Sequence, residues 1–338
     1  MEIIKSYINN TYQLNKSVFL FLFFYSLCHQ IKAQVNLVPN GSFEEYNWCP
    51  NTTDGYYIEA CKFWTNPTLG TSDYFNSCST ELDTWGQNLY SVPENYYGNQ
   101  MANTGEAYAG FAFGQLTGIT QPYAEYIQVE LIQSLEANKI YELTFYVHNP
   151  TEICPNSVGC FFSENKVLIN NDDILHLIPQ FQSDLSSFIC DTLNWTEMRG
   201  FYFAEGNEKF ITIGVFTPLY ELKLSDYQGS IITGSGVGGS LLMYVDDVSL
   251  KAKEYSITNV FTPNDDGIND LFKIDNTIFH ADEIYILNRW GNIVYQSDSI
   301  FEWDGKATLG LECTNGVYYY RINKKGKNIK NGFVSLIR

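Results

Sequence analysis

Between residues 64 and 125 the sequence collects the side chains that a sugar-binding site needs. A bound sugar stacks on flat aromatic faces, and amide or carboxylate groups form hydrogen bonds with its hydroxyls. Groups of both kinds occur there, and the candidate ligand-binding residues are Trp64, Tyr74, Asn76, Trp85, Tyr96, Tyr97, Gln100, Tyr123 and Glu125. The alternative is that these tyrosines and tryptophans form the core and rim of a β-sandwich, which is the more common place for them.

Two carboxylates, Glu81 and Asp83, have a spacing that could serve glycoside hydrolysis. Alternate residues of a strand point to one face, so both acids could enter one cleft. The Glu-x-Asp-x-x-Glu strand of jelly-roll glycosidases has a third carboxylate, however, and Gly86 occupies that position here. The sequence also lacks a Gly-x-Ser-x-Gly elbow and a phosphate-binding glycine loop with its lysine. We therefore predict no catalytic residues and no enzyme activity.

Four oxygen-bearing side chains near the C-terminal end could hold calcium. Asp265, Asp266, Asn269 and Asp270 surround Gly267, and oxygen-rich loops with a glycine bend suit this ion. The segment lacks the twelve-residue loop and closing glutamate of an EF-hand. The alternative is a turn stabilised by hydrogen bonds from Asp and Asn side chains to nearby backbone amides.

The N-terminus has the pattern of a secretory signal peptide. Two lysines in a polar leader precede an apolar run at residues 18–27, and a short polar stretch ends in Ala33. We expect cleavage after Ala33, with Gln34 as the alternative. Cys28 allows a lipoprotein interpretation, which the bulky Leu27 before it opposes. The run is shorter than the roughly 20 residues of a membrane helix, and no later segment is apolar enough for a membrane span.

Charge is shared unevenly along the chain. Residues 34–253 contain 8 Lys and Arg against 26 Asp and Glu, a balance of -18, whereas residues 254–338 contain 9 against 11, a balance of -2. Phosphate backbones repel such an acidic body, so no nucleic-acid partner is expected. The carboxylates could bind hard cations or serve only solubility.

Seven cysteines follow the predicted cleavage site, and an exported chain meets an oxidising compartment where disulfides form. An odd number leaves at least one thiol that is free or pairs between chains. No pair has the CxxC spacing of a zinc or redox site. The seven are Cys49, Cys61, Cys78, Cys154, Cys160, Cys190 and Cys313.

The positioning elements are predicted to be strands. The chain has 25 Tyr and 23 Phe but only 4 Met, and its apolar runs are short and punctuated by Asn, Gly, Ser and Thr, a composition typical of all-β proteins. Residues 56–97 are interpreted as long loops that Cys49, Cys61 and Cys78 pin. One or two turns of helix are expected near residues 172–178. Alternation or apolar runs predict strands at residues 126–131, 141–147, 197–203, 209–216 and 241–250.

Ordered motifs fill residues 257–338. A Pro-Asn-Asp-Asp-Gly turn follows a strand, an Asn-Arg-Trp-Gly turn joins two predicted strands, and a Trp-Asp-Gly turn precedes a tyrosine-rich strand. This set resembles the type B sorting domain, also called the gliding-motility-associated C-terminal domain. The residues that carry the resemblance are Pro263, Asn264, Asp265, Gly267, Asn269, Asp270, Asn288, Arg289, Trp290, Gly291, Trp303, Asp304, Gly305, Gly316, Tyr318 and Tyr319.

The resemblance implies a small, immunoglobulin-like β-sandwich that the type IX secretion translocon of Bacteroidetes recognises. Such a domain directs its passenger across the outer membrane, after which it is removed or helps to fix the product at the surface. The basic tract at residues 324–327 is then either a solvated turn or a contact with the translocon.

The segments at residues 38–44 and 244–250 resemble the first and last strands of galactose-binding-like jelly rolls, the architecture of many carbohydrate-binding modules. That resemblance implies neighbouring strands and a structural calcium bound by Glu44 and by Asp246 or Asp247. It also suggests a disulfide between Cys49 and Cys78, after which Cys154 and Cys160 could close a small loop. The alternative for the three carboxylates is exposure to solvent.

Taken together, these interpretations predict an all-β chain in which a jelly-roll β-sandwich is followed by a small Ig-like β-sandwich. The predicted divisions are a signal peptide at residues 1–33, a passenger at 34–253 and a sorting domain at 254–338. The predicted function is an exported, non-catalytic protein that binds glycan or a surface polymer, either secreted or at the cell surface. The alternatives are a structural adhesin with a protein partner and a divergent glycoside hydrolase.

Overall fold

The strongest alternating segments form the longest strands, because one face of each strand enters a shared core. The computed structural model describes residues 34–55, 57–115, 123–151, 153–184, 186–217, 224–226, 231–232 and 239–338. The signal peptide prediction falls on residues 1–33, which lie outside these ranges. Within the described residues no helix is long and apolar enough to cross a membrane.

Among the described residues of the first domain, sixteen strands and a short 3-10 helix (Ile58–Ala60) occur. The strands are β1 (Trp64–Thr65), β2 (Asp73–Asn76), β3 (Glu94–Asn95), β4 (Gly98–Asn99), β5 (Ala107–Gln115), β6 (Tyr123–Ala124), β7 (Tyr126–Glu130), β8 (Ile140–His148), β9 (Ile153–Pro155), β10 (Gly159–Ser163), β11 (Phe181–Gln182), β12 (Thr196–Phe203), β13 (Phe210–Gly214), β14 (Leu224–Asp226), β15 (Ile231–Ile232) and β16 (Gly239–Lys253).

Two antiparallel sheets face each other in this domain. The first has the order β1-β7-β13-β10-β11, and the second has the order β12-β8-β16-β5-β2 with β6 beside β5. Side chains from both sheets, such as Ile127, Ile211, Phe111 and Phe145, share one buried core. The fold is therefore the predicted β-sandwich. A smaller sheet, β15-β14-β9, and the hairpin β3-β4 lie outside the two layers.

The start of the chain runs beside β16 but is not a strand. Leu37 N donates to the Leu250 carbonyl at 2.8 Å, and Val248 N donates to the Gly41 carbonyl at 2.8 Å. Between these contacts the backbone turns, with a φ of 49° at Asn40. The two end segments are neighbours, as the resemblance implied, whereas the expected first strand is replaced by turns.

The helix expected near residues 172–178 is wrong. The segment has no helical residues. Its backbone groups form hydrogen bonds with residues of β6 and β7 instead of with each other. Leu175 N donates to the Tyr126 hydroxyl at 2.9 Å, and the Asp172 carbonyl accepts from Ala124 N at 2.9 Å. Ile174 and Leu175 are buried against the core, which accounts for the apolar pattern that suggested a helix.

The disulfides agree with the sequence in one case and correct it in the other. Cys49 and Cys78 are bonded, as the resemblance suggested. The suggested Cys154–Cys160 pair is wrong, because Cys154 lies in β9 and is bonded to Cys190, while Cys160 points from β10 into the core. Cys61 does not pin the loops through a disulfide, since its thiol is free and buried; Cys160 and Cys313 are also free and buried.

The C-terminal domain is a smaller sandwich with one short helix, α1 (Asn276–Phe279). Its larger sheet has the order β17-β23-β22-β19-β20, in which only the β17–β23 pair is parallel, and it packs against the pair β18-β21. The strands are β17 (Val260–Phe261), β18 (Phe272–Lys273), β19 (Glu283–Leu287), β20 (Ile293–Ser297), β21 (Glu302–Trp303), β22 (Gly316–Lys324) and β23 (Lys327–Leu336).

An aromatic contact joins the two domains. Phe279 of α1 packs against Phe203 of β12, with ring centroids 5.6 Å apart, and against Tyr255 at the same centroid distance. Ile140 and Phe203 belong to the same buried cluster as the core of the C-terminal domain. Asn36–Arg338 accordingly form one compact unit. The exact boundary at residues 253 and 254 stays a prediction.

Candidate functional site

An aromatic cluster covers the second sheet on its outer face, the face that points away from the sandwich core. Strand alternation places Phe75 of β2, Tyr108 of β5 and Tyr244 of β16 on this face, where they pack together and are buried. The Tyr108 and Tyr244 rings are 4.6 Å apart, and the Phe75 ring is 5.3 Å from each. A segment from residue 90 to residue 102, which contains the β3–β4 hairpin, closes over them.

Asn95 fastens this segment to the sheet. Its side-chain amide donates to the Tyr108 hydroxyl at 2.8 Å, and its Oδ1 accepts from the Tyr244 hydroxyl at 2.9 Å and from Tyr97 N at 2.9 Å. The Tyr108 hydroxyl in turn donates to the Gln100 carbonyl at 3.2 Å. Of the predicted residues, Gln100 therefore holds the loop through its backbone.

Three of the predicted aromatic residues are exposed on adjacent loops. We call Trp85, Tyr96 and Tyr97 the aromatic surface; they are 85%, 63% and 43% exposed. The Tyr96 and Tyr97 rings meet edge to face with centroids 5.2 Å apart. Tyr96 N donates to the Leu89 carbonyl at 3.2 Å, which joins the β3–β4 hairpin to the loop that carries Trp85. This surface has the flat apolar faces that a sugar ring can stack on.

A buried carboxylic side chain, Asp73, anchors the hydroxyl of Tyr97. The Tyr97 hydroxyl is hydrogen-bonded to Asp73, which is buried on the outer face of β2. Burial, and then the nearby Glu125 carboxylate, raise the pKa of Asp73 well above its usual range. Tyr97 therefore has an anchored hydroxyl while the residue stays 43% exposed, a suitable arrangement for a rigid stacking platform.

Glu125 is a structural group. Its Oε1 accepts from Thr71 N at 3.1 Å and from the Tyr123 hydroxyl, and its Oε2 accepts from Ala112 N at 2.7 Å. Burial raises the pKa of Glu125, and these hydrogen bonds oppose the shift. Tyr123 and Glu125 thus satisfy each other beside β5, although the sequence suggested both as ligand groups.

Three other predicted ligand groups lie inside the protein. Trp64 is buried, donates from Nε1 to the Asn40 carbonyl at 3.0 Å and packs on Phe43. The Tyr74 hydroxyl donates to the Phe43 carbonyl at 2.9 Å and accepts from Asn76 Nδ2 at 2.8 Å. As ligand groups these three residues are wrong, because strand alternation directs them to the core side.

Two residues that the sequence analysis did not propose, Asn95 and Asp73, hold the aromatic surface in place. Neither is aromatic or exposed. A signal existed for each: Asn95 precedes the two tyrosines in a tight hairpin, and Asp73 shares its strand face with Phe75.

The surroundings of the aromatic surface are acidic. Residues 63–138 contain no Lys or Arg. Glu94 is exposed beside Tyr96, and its Oε2 accepts from Asn88 Nδ2 at 3.4 Å. Amide and carboxylate groups are therefore available for hydroxyls, whereas a polyanionic ligand would meet repulsion without a compensating cation.

The Glu81 and Asp83 pair does not form a cleft of alternating carboxylates. Both lie in an irregular loop, as the cysteine-rich context indicated. Glu81 Oε2 accepts from the Thr52 hydroxyl at 2.8 Å, and Asp83 Oδ1 accepts from Trp85 N and Gln87 N, both at 2.8 Å. These bonds shape the turn that carries Trp85.

The three carboxylates suggested for calcium all bind one loop. Glu44 Oε1 accepts from Glu106 N at 2.9 Å, Asp246 Oδ2 accepts from Asn103 N at 2.8 Å, and Asp247 Oδ1 accepts from the Thr104 hydroxyl at 2.7 Å. Burial, and then the charge of Asp247, raise the pKa of Asp246 to about 8.

These hydrogen bonds give the three carboxylates a structural role, which is to hold the loop at residues 103–106. No three His, Cys, Asp or Glu side chains in the described part of the chain are grouped so as to hold a metal ion. Calcium at Glu44, Asp246 and Asp247 therefore stays a prediction.

In the C-terminal domain the motif turns have clear structural roles. Asp270 Oδ1 accepts from Asp265 N at 2.8 Å and its Oδ2 accepts from Gly267 N at 2.7 Å, which closes the Pro-Asn-Asp-Asp-Gly turn in the manner of the Asx alternative. Trp303 is buried and donates from Nε1 to the Lys306 carbonyl at 2.7 Å. Asn288 Oδ1 accepts from Asn292 N at 3.0 Å and so orders the hairpin between β19 and β20.

Residues 255–336 match the family described as the CHU_C Type IX secretion signal domain. They are a type IX sorting domain. The sequence motifs had implied this family and nearly the same bounds. The sorting domain marks the protein for export to the cell surface or beyond. No curated protein matches the chain.

Several solved structures are similar to the chain. The CBM22-1 xylan-binding domain of Xyn10C from Paenibacillus barcinonensis has 10% identity, with 67% of this chain and 99% of that chain covered and a TM-score of 0.30. TmCBM61 in complex with beta-1,4-galactotriose has 12% identity, with 65% and 99% covered and a TM-score of 0.28. A cleaved adhesin domain of Lys-gingipain from Porphyromonas gingivalis has 13% identity, with 58% and 94% covered and a TM-score of 0.27.

Proposed function

We propose that this exported protein is a glycan-binding protein whose ligand stacks on the aromatic surface. The observation that supports the proposal is the pair of exposed rings of Tyr96 and Tyr97, 5.2 Å apart, on a hairpin that Asn95 ties to the sheet. Neighbouring exposed aromatic rings on a fixed support form an apolar patch of the kind found at ligand-binding surfaces. Sugar rings present an apolar face of C–H groups, which suits such rings, and hydroxyls, which suit the nearby amides and carboxylates.

The acidic surroundings narrow the ligand class. With no Lys or Arg at residues 63–138, a sulfated or uronic-acid polymer would bring its charge next to Glu94 without an ion-pair partner. The proposal therefore concerns neutral or amino-sugar polymers. It assigns no catalytic step, in keeping with the sequence prediction of a non-enzyme.

Binding to insoluble polysaccharides and to a glycan array tests the proposal. Wild-type protein should be retained by at least one neutral or amino-sugar polymer. Tyr96→Ala should weaken retention roughly tenfold, which corresponds to about 1.4 kcal/mol, the scale of one lost stacking contact. Tyr46→Ala is the matched control, because Tyr46 is 42% exposed and pairs with Cys61 rather than belonging to the β3–β4 hairpin. Equal retention of the two variants, or no binding to any polymer, would contradict the proposal.

The structural adhesin alternative loses one of its supports. It relied on an unpaired cysteine that bonds to another chain. The three unpaired cysteines of the described residues, Cys61, Cys160 and Cys313, are all buried. Burial also raises the pKa of each of these thiols, which disfavours the reactive thiolate.

A further inference from the structure

The larger sheet of the sorting domain has one face in the core and one face open to solvent. Ile286, Tyr320 and Val334 point inward and belong to the core. Their neighbours along the strands point outward by strand alternation. The register places Phe333 opposite Tyr319, and Tyr319 opposite Leu287.

These outward residues form a continuous apolar row. It crosses β23, β22 and β19 and continues to Ile293 of β20, which pairs with Leu287. Phe333, Tyr319 and Ile293 are each about half exposed. Since neighbouring strands are about 4.8 Å apart, the row is about 14 Å long. A row of this length is an extended apolar contact rather than an isolated exposed residue.

Two arginines border the row. Arg289 and Arg321 line the same groove as Tyr319 and Phe333. Neither forms an ion pair within the described residues, and the Arg289 guanidinium lies 4.7 Å from the centroid of the exposed Trp290 ring. The groove therefore carries positive charge, although the net charge of residues 254–338 is -2. Unpaired guanidinium groups beside an apolar row suit a partner with carboxylates in the same positions.

The motif residues of the domain fall into two groups. Trp303 fills the core and Asp270 closes a turn, so the fold requires them. Arg289, Trp290 and Tyr319 are exposed, and the sandwich does not need their side chains for its core. A motif residue that packing does not require is available for recognition.

We propose that the groove formed by Leu287, Tyr319 and Phe333 and bordered by Arg289 and Arg321 is the surface through which the export machinery recognises the sorting domain. The partner is a protein surface with an apolar ridge and flanking carboxylates. The basic hairpin end at residues 324–327 is outside this surface. The inference does not depend on glycan binding by the passenger.

Two variants of the full-length chain test the groove in a host with a working type IX system. One is Tyr319→Ser with Phe333→Ser, and the other is Arg289→Glu with Arg321→Glu. Each should lower the exported fraction at least tenfold and leave the protein in the periplasm, with the melting temperature of the purified protein unchanged. The arginine variant removes no core contact, so it provides the test even if the apolar variant unfolds.

Matched controls change the same chemistry elsewhere. Ile268→Ser with Leu309→Ser removes two exposed apolar side chains outside the groove, and Lys324→Glu with Lys327→Glu reverses two charges at the hairpin end. Both should be exported like the wild type. Normal export of the arginine variant, or trapping of the lysine variant instead, would overturn the proposal. It would also be overturned if the wild type dimerised through the groove and the monomeric variants were still exported.

Discussion

Replacing Asn95 with alanine should release the aromatic surface from the sheet while the sandwich stays folded. The Asn95 side chain makes two hydrogen bonds that connect the β3–β4 hairpin to Tyr108 and Tyr244 on the outer face, and a third within the hairpin, from Tyr97 N. Alanine cannot replace any of them. The strands of this hairpin have two residues each, and so short a hairpin is not stable without its attachments.

The size of the effect follows from the two tyrosine hydroxyls. Tyr244 is fully buried and its hydroxyl loses its acceptor on Asn95, a loss that costs about 1–3 kcal/mol for a buried polar group. The Tyr108 hydroxyl still donates to the Gln100 carbonyl. Losing its bond from Asn95 should therefore cost only the net contribution of one hydrogen bond, about 1 kcal/mol. The sum, roughly 2–4 kcal/mol, is below the stability of a typical domain, so the loop should open locally.

Hydrogen exchange measured by mass spectrometry checks this expectation. Peptides covering residues 94–100 should exchange faster in Asn95→Ala, while peptides from β8 and β16 keep their protection. Adding Tyr244→Phe should lower the free energy of unfolding by less than a second independent loss would, because it removes a hydroxyl whose Asn95 acceptor is already gone. Asn99→Ala, an exposed position of the same hairpin, is the control. Unchanged exchange at residues 94–100 in Asn95→Ala would show that Asn95 does not hold the hairpin on the sheet.

Three further predictions concern pH and the domain junction. Because the pKa of Asp246 is raised in the folded state, its proton stabilises the fold at low pH, and this contribution is lost as pH rises from about 4 to about 8. Over that range, denaturant unfolding should show the free energy of unfolding of Asp246→Asn increasing relative to that of the wild type. Recovery of the wild-type stability on addition of calcium would support the predicted ion. Desolvation alone would raise the pKa of Asp270, but hydrogen bonds from Gly267 and other backbone amides lower it. Asp270→Asn should therefore lower the melting temperature at neutral pH, with a deficit that disappears as pH falls below the usual aspartate range. Phe279→Ala should lower the free energy of unfolding by about 3–5 kcal/mol and speed proteolysis at residues 254–259. Limited digestion with chymotrypsin, which cuts after aromatic residues such as Tyr255, would detect this change.

Strand periodicity was the most informative part of the sequence. It located β8, β12 and β16 to within a few residues, because one buried face imposes a clear alternation. It misread residues 172–178, where apolar residues reach the core from an irregular segment whose backbone bonds to Ala124 and Tyr126. A local pattern cannot distinguish these cases, since long-range hydrogen bonds decide between them.

The site was only partly predictable for a related reason. Residue type suggested Tyr96 and Trp64 equally, yet the fold exposes the first and buries the second. The sequence does not show which loop folds over which sheet face. The sorting domain was recognised more fully, because its turns depend on local chemistry at Asp270, Asn288 and Gly305, and such chemistry is visible in sequence.

Truncation before the sorting domain tests whether residues 254–338 carry the export signal. A chain ending at Lys253 would be produced beside the full-length protein in a host with a working type IX system, and both would be located by cell fractionation. The full-length protein should reach the surface or the medium. The truncated protein should stay in the periplasm and still bind the polymer that retains the wild type. Appearance of the truncated protein outside the cell at the wild-type level would contradict this prediction.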